Sequence, residues 1–241
     1  MLRAAVASLL LSLSAAPAAA LGGEAVSEAG RLESRVVMVL GSRGSVCTGA
    51  VLSPTVVITA GHCVSGSGRY AVAYREGGSP VLQEVREVRR HPEFSGRQRV
   101  SIDMALVRLR TPLPPRFSPV ALDDTAEDDT VGARKTIAGY GLAREGDEKS
   151  AGTLRAGQVS ILPRFYPRYM RLGLPSGDFR ICKGDSGGPV FAEGLVGMTL
   201  TGVVYASERK QGGRQCGDTA QAVRIAPQRG WIDGVRAVWG E

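Results

Sequence analysis

The residues best suited to chemistry lie in Gly184-Asp185-Ser186-Gly187-Gly188-Pro189. Small residues around a serine let the chain turn sharply and let a substrate backbone approach closely. The amides of Gly184 and Ser186 can then face an oxygen that gains negative charge when a carbonyl is attacked. A serine hydroxyl is a weak nucleophile at neutral pH and needs a base beside it. The chain has only two histidines. His62 stands in Thr59-Ala60-Gly61-His62-Cys63 after an apolar run, whereas His91 lies in the turn-like His91-Pro92-Glu93-Phe94 and reads as non-catalytic. A carboxylate to orient the base is available as Asp103, at the head of the apolar segment Ile102-Asp103-Met104-Ala105-Leu106-Val107. Taken singly, each has a plain structural reading: a turn serine, a packed histidine, a capping aspartate. Together they form a nucleophile, a base and an orienting acid.

These three segments, in the order His, Asp, Ser, resemble the trypsin/chymotrypsin-like serine proteases. The resemblance covers about residues 20–241 and implies the roles that follow. Ser186 is the nucleophile, His62 the general base and Asp103 its orienting partner, with Gly184 and Ser186 supplying the oxyanion hole. The mature amino group of that family pairs with the Asp before the nucleophile, here Asp185. The position six residues before the nucleophile, at the base of the primary specificity pocket, is Arg180. Two readings of Arg180 stand open: it lines the pocket, repelling basic side chains and attracting acidic ones, or a shifted loop turns it to solvent or makes it a plug. The far pocket wall is expected from residues 199–203, with Gly202 as the wall glycine, although Leu200 and Thr201 replace the family's usual lead-in. Disulfides are implied between Cys47 and Cys63 and between Cys182 and Cys216, each closing a loop worth about 3–4 kcal/mol. The substrate would be a protein or peptide and a proteinaceous inhibitor a further partner, with no metal or cofactor required and a monomer expected. The rival reading is a protease-fold binding module that no longer cleaves. An α/β-hydrolase esterase fits poorly, since that fold orders its triad Ser, Asp, His.

The elements that must position these residues read as short strands separated by turn signals, an all-β pattern. Candidate strands are 36–40, 46–52, 56–59, 70–74, 81–88 and 104–109, then 135–138, 157–162, 189–192, 195–201 and 220–225. The expectation is two six-stranded antiparallel β-barrels, at about 36–111 and about 131–226, with the site between them. A terminal helix is expected at about 228–238, with Trp231, Ile232, Val235 and Val238 on one face. Residues 144–150 read as a surface loop, and 164–177 give no readable shape.

The 241 residues, 43% hydrophobic and 22% charged, have an ordinary globular composition. The net charge of +7 reads as a basic solvated surface or an attraction to anionic partners; the arginines are scattered and form no aromatic-interleaved strip for nucleic acid. Residues 1–20 have the charged start, apolar core and small-residue end of a secretory signal peptide, so 21–241 is the expected exported domain and no membrane span is anticipated. Mature starts at Ala20 or Leu21, or after Arg31 or Arg35, compete.

Overall fold

The computed structural model describes residues 29–97, 101–125, 129–163, 167–174, 180–194, 197–208 and 216–241. The expected leader and the Ala20 or Leu21 start lie outside the described residues. Two closed six-stranded antiparallel barrels dominate. The first contains β1 (Val36–Gly41), β2 (Ser45–Ser53), β3 (Val56–Thr59), β4 (Tyr70–Glu76), β5 (Ser79–Arg90) and β6 (Ala105–Leu109), closed in the order β1-β2-β3-β6-β5-β4. A short β7 (Ala121–Leu122) leads into the second half, where it lies parallel to residues 199–200. The second barrel is built from β8 (Arg134–Gly139), β9 (Arg155–Leu162), β10 (Tyr169–Gly173), β12 (Pro189–Gly194), β13 (Gly197–Glu208) and β15 (Thr219–Arg224), with β12 pairing both β8 and β13 to close the ring. Beside it, β11 (Ile181–Cys182) pairs with β14 (Cys216–Gly217).

Several first-barrel strands are apolar at nearly every position, and the packing explains why. Alternate residues of a strand point to opposite faces. In β1, Val37 and Val39 fill the first barrel, while Val36 and Met38 face a second cluster that includes Phe191, Leu200 and Val203 of the other barrel. The same split divides Val57 from Val56 and Ile58 in β3. Both faces of these strands are covered, so a simple in–out alternation is lost. The second barrel has its own interior of Ile137, Val159, Ile161, Leu172, Val190 and Val204.

The terminal helix, α1 (Arg229–Trp239), buries Ile232 and Trp239, one heptad apart, against the inter-barrel cluster. Val238 was expected on that face but is 77% exposed; the buried stripe runs through 232 and 239 instead. Arg108 donates to the Trp239 carbonyl at 2.7 Å, and the Glu241 carboxylate accepts from Ser53 and Thr55, so the helix end is tied to the first barrel. The Cys47–Cys63 and Cys182–Cys216 disulfides are both formed. Among the described residues no helix is long and apolar enough to cross a membrane.

Candidate active site

Strand pairing brings His62 and Asp103 together. In the antiparallel β3–β6 pair Thr59 faces Ala105, so the chain just beyond β3 meets the chain just before β6. There Gly61–Val64 forms a single 3-10 turn. Gly61 must be small, because a Cβ would lie 2.8 Å from the Phe94 ring and 3.1 Å from Asp103 Oδ1. Asp103 Oδ1 accepts from the His62 backbone amide at 2.8 Å, and its Oδ2 lies 2.7 Å from His62 Nδ1. An ionised carboxylate only accepts, so it holds the proton on Nδ1 and leaves Nε2 as the basic nitrogen. The imidazole is 40% exposed, whereas Asp103 is buried.

The segment carrying Ser186 enters β12 through consecutive tight turns. Asp185 N donates to Cys182 O, and Gly188 N donates to Asp185 O, each at 3.0 Å. Gly184 and Gly187 take φ of 99° and 84°, a region that strains any side-chain-bearing residue. The segment is pressed onto the first barrel: a Cβ on Gly187 would collide with Thr48 O and Thr59 Oγ1. Thr48, fully buried in β2, makes the junction. Its amide donates to Ser186 O at 2.8 Å and its hydroxyl to Gly184 O at 2.9 Å, while that hydroxyl accepts from Tyr140 N at 2.9 Å. Its neighbour Cys47 is bonded to Cys63, whose sulfur lies 3.7 Å from both His62 Nε2 and Ser186 O. The base and the serine backbone therefore share one rigid neighbour. The amides of Gly184 and Ser186 donate to no acceptor among the described residues, while the Asp185 amide between them is already used.

A half-exposed base with a fixed tautomer, a serine on a turn and two free amides can together carry out acyl transfer. The trypsin family model matches residues 22–232. The chain belongs to the trypsin family. It is 28% identical over 184 residues to serine protease 1 of Canis lupus familiaris, covering 69% of this chain and 73% of that protein. To human granzyme M it is 28% identical over 208 residues, 78% of each. Against serine proteinase stubble of Drosophila melanogaster it is 28% identical over 188 residues, 66% of this chain and 23% of that protein. Membership makes the chain a serine endopeptidase by family.

Against that family pattern, the pocket residues are placed differently from expectation. Gly202 does not line an open wall. It is buried in β13 between β12 and β15, paired with Val190 and Arg224, and a Cβ there would lie 3.2 Å from Met170 Sδ. The site edge lies further along the strand. Val204 exchanges hydrogen bonds with the serine segment, accepting from Gly187 N at 2.6 Å and donating to Gly188 O at 2.9 Å, so the next residue, Tyr205, borders the site. The Tyr205 hydroxyl donates to Gln221 Oε1, and its ring meets Tyr169 edge-on at 5.9 Å. Burial pushes its phenol up, with Tyr169 and the negative charges of Asp103 and Glu208 adding to the effect. Arg180 is 45% exposed and its guanidinium lies 3.0 Å from Asp218, so the cation expected at the pocket base is neutralised by a carboxylate.

Asp185, expected beside a freed amino group, has a different partner. Both its oxygens accept from Arg155 Nη2, at 2.9 and 3.2 Å. Sequence reasoning missed Arg155, Thr48, Tyr205 and Asp218. For Tyr205 a signal existed, since it follows Val203-Val204 at the edge of an apolar run. Arg155 carried none, being one arginine among many at the start of a strand.

Proposed function

We propose that this trypsin-family chain is an exported serine endopeptidase that hydrolyses peptide bonds through Ser186, His62 and Asp103. The observation that carries this reading is the Asp103–His62 pair, at 2.7 Å, packed through one disulfide against Ser186, whose own amide and that of Gly184 donate to no acceptor among the described residues. Ser186 Oγ attacks the carbonyl carbon as His62 Nε2 takes its proton. Asp103 holds the imidazole and stabilises its cation. The oxyanion that forms is received by the Gly184 and Ser186 amides, each such donor being worth about 2.7–4 kcal/mol to the transition state. His62 returns the proton to the leaving amine, and water then cleaves the acyl-enzyme by the same route in reverse.

Primary specificity is not for Lys or Arg. The position that would carry a carboxylate for a basic side chain holds Arg180 instead, and the nearby Asp218 lies 3.0 Å from that guanidinium. Export is supported by the leader-like residues 1–20 together with two disulfides, which persist in oxidising compartments. The partners are a protein or peptide substrate and a proteinaceous inhibitor, and the working unit is a monomer.

A fluorophosphonate probe tests the reading directly. The secreted chain should label at a single serine, and Ser186→Ala should abolish labelling while leaving the thermal unfolding midpoint within a few degrees. A folded wild-type chain that does not label would favour a silent protease fold that binds without cutting.

A further inference from the structure

The Asp185 carboxylate is buried, and burying a charge is costly unless it is paired and fully hydrogen-bonded. Its surroundings meet that demand from inside the fold. Oδ1 accepts from the Gly141 amide at 2.8 Å and Oδ2 from the Cys182 amide at 2.8 Å, while Arg155 Nη2 reaches both oxygens. The two side chains are 10% and 6% exposed. The backbone closes tightly around them: a Cβ on Gly139 would collide with Oδ1, and one on Gly141 would lie 2.6 Å from it. Arg155 is delivered by strand pairing, since it faces Gly139 in the β8–β9 ladder. An amino group approaching this carboxylate would have to displace the guanidinium or add a second buried cation.

Asp185 stands between the two residues whose free amides form the proposed oxyanion hole, so whatever fixes Asp185 fixes both amides. We propose that Arg155 is a positioning residue that orders the 184–188 segment from within the folded domain, so that catalytic readiness does not depend on liberating an amino terminus. The proposal rests on the peptidase reading for its link to activity, but the ordering of the segment can be read separately. A guanidinium suits the role because it keeps its charge at any pH the protein meets and grips both carboxylate oxygens at once.

The test compares the secreted chain with the same chain carrying a short amino-terminal extension, each as wild type, Arg155→Met and Arg155→Lys. The measurements are the rate of fluorophosphonate labelling, kcat and KM on a small ester, and hydrogen exchange of the Gly187 and Gly188 amides. The extended wild-type chain should label within about twofold of the secreted one. Arg155→Met should lose about 100-fold in kcat with little change in KM, the scale of a lost oxyanion donor. It should also exchange Gly187 and Gly188 faster, and Arg155→Lys should recover part of both. An extended chain that stays inert until its amino terminus is cut would overturn the proposal, as would Arg155→Met labelling and exchanging like wild type. Should Arg155→Met fail to fold, the extended chain decides. A wild-type chain that never labels counts against the peptidase reading, and exchange then decides Arg155: faster in Arg155→Met upholds it, equal rates overturn it.

Discussion

Asp103 and Asp185 are held by the same device and put to different uses. Each carboxylate accepts from the backbone, Asp103 from His62 N on one oxygen and Asp185 from Gly141 N and Cys182 N on its two oxygens, and each faces a nitrogen-bearing side chain. The difference lies in the partner. The His62 imidazole is 40% exposed, so its pair is open to a reacting group. The Arg155 guanidinium is 6% exposed, so its pair is closed to a reacting group and acts as a clamp. In the proposed peptidase one aspartate would steer a proton and the other would fix a segment of backbone. The Cys47–Cys63 disulfide and Thr48 then set the distance between the two systems.

The strongest way to break this comparison is Asp103→Asn. The amide would offer an N–H to His62 Nδ1, force the proton onto Nε2 and remove the base. A triad altered in this way loses about 10⁴ in kcat. Stability should fall by only about 1 kcal/mol, because the amide oxygen can still accept from His62 N. Ester hydrolysis and urea unfolding measured on one preparation would check both. A loss of less than tenfold in kcat would mean that the 2.7 Å contact does not set the tautomer.

Asp185→Asn should reverse that balance. Removing the carboxylate leaves the Arg155 guanidinium buried without its counter-charge, a change that costs about 3–5 kcal/mol. Urea unfolding should therefore show a far larger loss than for Asp103→Asn. Equal losses from the two variants would sink the distinction between steering and clamping.

How much of this was legible in the sequence follows the same division. His62, Asp103 and Ser186 could be proposed from the sequence because acyl-transfer chemistry calls for local small or apolar neighbours, and those neighbours are contiguous in the chain. The strands of the first barrel were readable because β-branched runs alternate with turn residues. Arg155 was not readable: its role comes from facing Gly139 across a strand pair, a long-range register that no local pattern encodes. Gly202 was misplaced for a related reason. Gly202 was taken for the wall glycine because it is a glycine in the expected stretch, yet the residue that pairs with the serine segment is set by ladder register, which shifts between Val190 and Phe191 and again between Val204 and Ala206. A bulge moves a strand's residues relative to their partners, so residue type alone cannot locate the pocket wall. Residues 169–173 form β10 within the stretch whose mixture of Tyr, Arg and Pro gave no readable period.

The other histidine provides the smallest and most discriminating test of what environment does to one side chain. His91 is buried, its ring meets Trp231 edge-on at 4.8 Å, and its Nδ1 accepts from Glu93 N at 3.2 Å. Burial pushes its pKa below the ordinary value of 6.5, Arg168 reinforces the shift, and Glu93 and Gln228 oppose it. The folded protein therefore resists a proton that the unfolded chain accepts. The stability this represents is complete above about pH 6.5 and is lost as pH falls from there through the depressed folded value, by at most about 1.4 kcal/mol per pH unit. His91→Asn keeps an acceptor for the Glu93 amide but cannot titrate, so its stability should fall less steeply between pH 7 and pH 5. The wild-type-minus-variant difference, from urea unfolding at stepped pH, should shrink as the pH drops. A constant difference would mean that His91 binds its proton equally well folded and unfolded, and that its burial has no electrostatic consequence.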